Sequence, residues 1–193
     1  EILQFCASKK IRVVADECFL RFHPHYEKMS CKRFLKQYPN LLIVNAFTKF
    51  YAMAGLRLGY LMTGDLSLLH AVAQQLPEWN VSSIAQRAGI SALQDTEYEK
   101  RTRQLIEKER RYLIQEFLKM GCTVFPSEAD YITFRLPQEK TGFLLKERLL
   151  EGKILIRSCA NYRNMPPDCY RIAVKQHADN EELVRQVWRI LIQ

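Results

Sequence analysis

Membrane-length apolar stretches are missing from this chain: no run approaches the roughly 20 consecutive apolar residues of a spanning helix, and no segment reads as a secretory signal. Its six cysteines (6, 18, 31, 122, 159 and 169) include no CxxC pair and no zinc-like Cys/His spacing. His23, His25, His70 and His177 likewise show no metal spacing and nothing that supports a general base, so no metal is expected. Cys6, Cys18 and Cys122 sit in apolar contexts and read as small core residues. A reduced, cytoplasmic protein is the expectation. Internal repeats and low-complexity segments are also lacking. Acidic residues are outnumbered, 21 against 29 basic ones, for a net charge of +8. The excess is dispersed, and its densest stretch, Glu99 to Lys119, mixes seven cations with four glutamates as a solvated helix face does. Without a base-reading motif, no nucleic-acid partner is expected. Some of the cations are expected to meet an anionic cofactor and substrate.

What is present is a regular alternation. The 193 residues suit one ordinary domain or two small ones, with ample apolar content for a core. Residues 1–9 read as a helix, Ile11 to Ala15 as a buried strand, and Ser30 to Tyr38 as a helix stopped by Pro39. Leu41 to Ala46 and Leu58 to Thr63 read as strands. Asp65 caps a helix with Leu66, Leu69, Val72, Ala73 and Leu76 on one stripe. Pro77-Glu78-Trp79-Asn80-Val81 breaks the pattern and marks passage to a second domain. Helices are expected over Ser82–Leu93, Thr96–Met120 (closed by Gly121) and Thr141–Leu150. Strands are expected over Cys122–Phe125, Tyr131–Leu136, Lys153–Arg157 and Tyr170–Val174. Asp179 and Glu182 have the spacing of a capping box for the last helix. The fold class is therefore α/β for 1–80, with a smaller α+β domain over 81–193 that includes its long connecting helix.

Ligands of such sheets sit beyond the carboxyl ends of the strands, where Asp16 and Lys49 both fall. Lys49 follows the strand Leu41–Ala46, with Thr48 beside it and Arg57 eight residues on. A primary amine can form a Schiff base with an aldehyde, and a hydroxyl and a guanidinium can take a phosphate. Together they suit a phosphorylated aldehyde such as pyridoxal 5′-phosphate (PLP). Gly55 and Gly59 are expected to let backbones pack closely. The plain alternative is a surface turn with two cations. Asp16 ends an apolar strand, where a bare acid is expensive; it reads as a turn aspartate or as the partner of a pyridine nitrogen. Arg157 and Arg171 each bound an apolar strand, where surface salt bridges are the alternative to anion binding.

The run Thr48-Lys49-Phe50-Tyr51-Ala52-Met53-Ala54-Gly55-Leu56-Arg57 resembles the lysine segment of fold-type-I PLP enzymes, in the branch containing histidinol-phosphate aminotransferase and threonine-phosphate decarboxylase. Val13-Val14-Ala15-Asp16-Glu17 resembles the strand ending in the aspartate that faces the pyridine nitrogen. Ile154 to Tyr162 resembles the decarboxylase form of a small-domain strand and loop, and Tyr170 to Val174 the strand bearing the arginine for the substrate carboxylate. The resemblance implies that Lys49 is catalytic, that Asp16, Thr48, Lys49 and Arg57 bind the cofactor, and that Arg171 takes the α-carboxylate. It puts Arg157 near a distal phosphate or carboxylate. Two positions depart from the aminotransferase pattern: Phe19 stands where those enzymes have a tyrosine, and Ala46 where a hydroxyl often contacts the phosphate.

The activity implied is decarboxylation of threonine phosphate to aminopropanol phosphate, used in cobalamin assembly. Amino transfer of the histidinol-phosphate type and an inactive fragment or paralogue are the alternatives. A small phosphorylated amino acid as substrate and a homodimer as the working form are implied too. The chain opens at Glu1 in a helical pattern and is expected to be the carboxyl-terminal part of a longer enzyme. On that reading the glycine-containing phosphate turn and the ring-stacking residue lie elsewhere, and the fragment alone is inactive.

Overall fold

Two compact units, Glu1–Lys100 and Arg101–Gln193, make up the chain. The structure, a computed structural model, describes residues 1–140 and 144–192. In the first unit, helix α1 (Ile2–Ser8) leads into strand β1 (Val13–Asp16), and a short helix α2 (Tyr26–Met29) precedes β2 (Leu41–Ala46) and β3 (Gly59–Thr63). Strand β2 is central. It pairs in parallel with β1 (Asp16 opposite Val44) and antiparallel with β3 (Ala46 opposite Gly59). Its opening apolar run, Leu41 to Val44, is the mark of a strand covered on both faces there, and Leu41 and Ile43 are fully buried, while Val44, Asn45 and Ala46 are half-buried.

Helix α3 (Leu66–Gln75) starts where expected, with the Asp65 carboxylate accepting from the Leu68 N–H at 3.0 Å. Its apolar stripe is largely uncovered within this unit: Leu66 is 75% exposed and Leu76 51%. The helix expected over Ser30–Tyr38 shrinks to a single 3-10 turn, Cys31–Phe34. Pro39 disfavours helical backbone at Tyr38, and the few residues left are too short to nucleate an α-helix alone. Helix α4 (Ser83–Gln94) is capped by Ser82 and packs into the first unit through Ala85 and Gly89. A Cβ on Gly89 would lie 2.5 Å from the Leu58 side chain. The first unit thus extends past residue 80, where the sequence places the passage, and ends within α5 (Thr96–Lys119).

The second unit carries an antiparallel sheet in the order β4 (Thr123–Phe125), β5 (Tyr131–Arg135), β7 (Cys169–Ala173), β6 (Arg157–Ser158). Its core gathers Leu113 and Phe117 of α5, Ile132 and Phe134 of β5, Leu145 and Leu149 of α6 (Leu145–Glu151), and Val187 of α7 (His177–Ile192). Residues 141–143 of the expected helix over Thr141–Leu150 lie outside the described residues. Gly121 adopts φ +78 after α5, as a closing glycine does. The strand read over Lys153–Arg157 survives only as Arg157–Ser158. The last helix begins two residues before Asp179, so the expected capping box is replaced. Asn180, buried, reaches back from the first turn, accepting from the Lys175 N–H and donating to the Lys175 carbonyl. The same amide donates to the Glu109 carboxylate at 3.0 Å, with the His177 ring on the same oxygen. Burial pushes the Glu109 carboxyl up, but those hydrogen bonds outweigh it and leave the group below its usual range.

Among the described residues no helix is long and apolar enough to cross a membrane, and no cluster of three His, Cys, Asp or Glu is placed to hold a metal. All six cysteines are free; Cys122 is core, whereas Cys6 and Cys18 are only partly buried.

Close packing separates two glycines that look alike in sequence. A Cβ on Gly64 would sit 2.3 Å from the Leu35 carbonyl oxygen, whereas around Gly55 nothing lies within 4 Å. Gly55 therefore does not serve the close approach expected of it; Gly59 does, since a Cβ there would lie 2.9 Å from the Asn45 carbonyl oxygen. Gly64→Ala should destabilise by about 1–3 kcal/mol in denaturant unfolding, and Gly55→Ala by less than about 0.5 kcal/mol. Equal effects would contradict this packing.

Candidate active site

Because β1 and β2 run parallel, their carboxyl ends meet at one edge of the sheet, and the candidate cofactor residues gather there. Strand alternation sends the two consecutive acids to different jobs. Glu17 turns inward, 6% exposed, and its carboxylate accepts from the Ser30 hydroxyl (2.9 Å) and the Cys31 N–H (2.7 Å). Asp16 faces solvent, and its Oδ1 accepts from the Cys18 N–H at 3.0 Å. Hydrogen bonds from the Cys18 thiol and N–H hold the Asp16 carboxyl below the usual range. The turn role foreseen for Asp16 is thus real. It leaves an ionised carboxylate with capacity for another donor.

Residues 47–58 connect β2 to β3, and the Phe47 N–H bonds the Leu58 carbonyl at 3.0 Å to close the loop at its base. Thr48 follows Phe47 in the turn, and Arg57 precedes Leu58 on the other side of this closing bond. Arg57 adopts φ 54, the left-handed region, and its Nη1 donates to the Ala54 carbonyl at 3.2 Å. Such a backbone costs a non-glycine residue on the order of 1 kcal/mol or more, and strain of this kind clusters at functional sites.

Lys49 is exposed between buried neighbours: Phe47 is 6% exposed, Phe50 2% and Tyr51 8%. Phe47 stacks on Tyr51 at 5.1 Å between ring centroids, and Phe50 packs on Phe22 at 5.1 Å. The Tyr51 hydroxyl donates to Glu99 at 2.6 Å, the Arg21 guanidinium bonds both Tyr51 and Glu99, and the Tyr98 hydroxyl donates to the Phe50 carbonyl at 3.0 Å. The amine of Lys49 lies 5.9 Å from the centre of the Phe19 ring. Cys18 feels both ends of the site. Burial and Asp16 push its thiol up to about 11, and Lys49 pulls the other way. Asp16 and Lys49 therefore share Cys18 as a neighbour.

A cavity of about 290 Å³ lies beside Glu17, lined also by Leu20, Arg21, Tyr26, Asn45 and Tyr60. It does not include Asp16, Thr48, Lys49 or Arg57, and Glu17 and Arg21 are already bonded to protein groups. The candidate cofactor residues lie at the exposed strand ends, outside this cavity.

In the second unit the antiparallel register sets Arg157 of β6 directly opposite Arg171 of β7. Like charges at such a position oppose folding by a few tenths of a kcal/mol or more, and an anion would relieve them. The Arg171 guanidinium lies 4.9 Å over the Tyr131 ring, and Arg157 lies 5.7 Å over Tyr162. Arg157 Nη2 also donates to Asn161 Oδ1 at 3.1 Å. Among the described residues neither arginine forms an ion pair with an acid. Tyr131 went unassigned in the sequence, because its contact with Arg171 arises only from the β5–β7 register (Thr133 opposite Arg171).

The donor set fits PLP: an exposed primary amine on a pinned loop, a hydroxyl and a guanidinium in the same loop suited to a phosphate, and an ionised carboxylate for a pyridinium. Proximity within this group is measurable. Asp16→Asn removes the anion that helps hold Cys18 protonated, so the Cys18 thiolate fraction should rise. Alkylation of Cys18 at pH 8, followed by peptide mass spectrometry, should accelerate several-fold while Cys122, pushed up to about 12 by burial alone, stays slow. An unchanged Cys18 rate would contradict the contact.

Comparison with known proteins shows the family. The family model for aminotransferase class I and II matches residues 1–187. The threonine-phosphate decarboxylase of Salmonella typhimurium is 35% identical over 187 residues, a match covering 96% of this chain and 50% of that protein. The crystal structure of histidinol-phosphate aminotransferase from Clostridium acetobutylicum superposes with a TM-score of 0.91 at 31% identity, over 99% of this chain and 57% of that one. A second such enzyme, from Sinorhizobium meliloti and solved in complex with pyridoxal-5′-phosphate, gives 0.87 at 21% identity, over 99% and 52%. The chain thus spans about half the length of the relatives it matches. With a family match over nearly its whole length and this arrangement at the strand ends, the chain belongs to the class I and II aminotransferase family.

Proposed function

We propose that this chain supplies the lysine segment and the substrate arginines of a PLP-dependent decarboxylase acting on L-threonine O-3-phosphate, with aminopropanol phosphate as product. The observation that carries the choice of reaction is Phe19, whose ring lies 5.9 Å from the Lys49 amine. The resemblance to aminotransferases implies a tyrosine hydroxyl at that position, and phenylalanine has none to donate. Similarity to the Salmonella decarboxylase supports the same choice. A homodimeric, cytoplasmic enzyme of cobalamin assembly goes with this reading.

When bound, the cofactor supplies an electron sink for the pair left as a bond to the substrate α-carbon breaks. Lys49 Nζ would hold the cofactor covalently and return one proton to the α-carbon after carbon dioxide leaves. The ionised Asp16 carboxylate would keep the ring nitrogen protonated. Thr48 Oγ and the Arg57 guanidinium would hold the cofactor's phosphate. Arg171 would grip the α-carboxylate and orient the bond to be broken, and Arg157 would meet the distal phosphate. Amino transfer of the histidinol-phosphate type is the second reading, favoured by the 0.91 superposition.

The complete protein, supplied with PLP, should release carbon dioxide from O-phospho-L-threonine and show no amino transfer dependent on 2-oxoglutarate. Transfer without carbon dioxide release would select the second reading. Arg171→Lys keeps the charge but loses the bidentate fork. It should cut turnover about tenfold or more with PLP fully bound, the scale of a hydrogen bond to a charged group. Unchanged turnover would return Arg171 to a packing role.

A further inference from the structure

We infer that Asn161 and Tyr162 are positioning residues that hold Arg157 ready for the distal phosphate, and so set the preference for a phosphorylated over an unphosphorylated amino acid. The inference rests on the assignment of Arg157 to that phosphate and goes beyond it.

The loop after β6 is built to do this. The Cys159 N–H bonds the Cys169 carbonyl at 2.9 Å, continuing the β6–β7 ladder by one position, and both cysteines are fully buried. A turn follows at once: the Tyr162 N–H bonds the Cys159 carbonyl at 2.9 Å, and the Ser158 hydroxyl accepts from the Ala160 N–H at 3.3 Å. A second turn is closed by the Met165 N–H on the Tyr162 carbonyl at 3.1 Å. The buried anchor and consecutive turns fix where residues 161 and 162 stand. They bring Asn161 back over the strand to Arg157, four positions earlier.

Arg157 needs such help. An exposed arginine carries rotamer freedom that a ligand must otherwise restrict. Here the Tyr162 ring lies 5.7 Å from the guanidinium carbon, and Asn161 Oδ1 takes one N–H from Nη2 at 3.1 Å. Neither contact neutralises the charge, so the guanidinium is oriented while staying cationic. An acid at residue 161 would orient it equally well but cancel the charge. The asparagine amide also leaves its own N–H donors beside the guanidinium. The cross-strand position of Arg157 beside Arg171 keeps the oriented cation next to the one assigned to the α-carboxylate.

The test uses the complete holoenzyme with O-phospho-L-threonine and L-threonine, reading kcat and KM by turnover and Kd by calorimetry. Asn161→Ala should raise KM and Kd for the phosphorylated amino acid about tenfold, leave kcat within about twofold, and leave L-threonine binding unchanged. Asn161→Asp should lose the same selectivity by pairing with Arg157. Tyr162→Leu should follow Asn161→Ala, and Tyr162→Phe, which retains the ring face, should match the parent. In an Arg157→Ala background, Asn161→Ala should add nothing. Should Arg157→Ala lower the selectivity while Asn161→Ala leaves it intact, or should Asn161→Ala weaken both ligands equally, the positioning role is overturned. Should Arg157→Ala itself leave the selectivity unchanged, the assignment of Arg157 falls, and this inference with it.

Discussion

The burial of Phe47, Phe50 and Tyr51 on either side of an exposed lysine is the constraint on which the first unit's chemistry depends. Large aromatic side chains dominate the energetics of small cores, and ring pairs add about 0.5–1.5 kcal/mol each beyond the area they bury. Here they do so in the loop that joins β2 to β3. Three rings point inward and the Lys49 side chain is left outside, beyond the end of a strand whose first three residues are buried. The Tyr51 hydroxyl would be costly to bury bare. Glu99 accepts from it, and Arg21 neutralises Glu99. Burial, then Glu99, accordingly push the Tyr51 phenol well above its ordinary range. The result is an amine whose backbone is held by packing and whose side chain is free to react.

The second unit solves the converse problem, holding two like charges together. Arg157 and Arg171 face each other across β6 and β7, a pairing that opposes folding in isolation. Stability comes from elsewhere in that unit: the Phe117–Phe134 ring contact at 4.3 Å, and the Glu109, Asn180 and His177 cluster that fastens α7 to α5. Under the proposed function, this pair of unneutralised arginines is the anion-binding surface, and its guest is a phosphorylated amino acid.

Local patterns were legible in the sequence, and non-local ones were not. Leu41 to Ala46 reads as a strand because it opens on four consecutive apolar residues. Asp65 announces a helix start and Gly121 a helix end, since both act on their own neighbourhood. The lysine segment with Asp16, Thr48 and Arg57 is visible because spacing within one loop and one strand end carries it. The opposition of Arg157 to Arg171 and the placing of Tyr131 over Arg171 depend on strand register, which pairs residues far apart in sequence. Asn180 replaced the expected Asp179–Glu182 box because its amide could bond both Lys175 and the buried Glu109, a benefit only the folded unit reveals. Gly55 and Gly64 differ only in what the fold brings beside them.

Every role proposed for this strand-end site depends on Lys49 being the covalent anchor. Borohydride reduction of the complete protein supplied with PLP, followed by peptide mapping, tests this directly. A single pyridoxyl mark on Lys49 is the result predicted. A mark on any other lysine, with Lys49 unmodified, would contradict it.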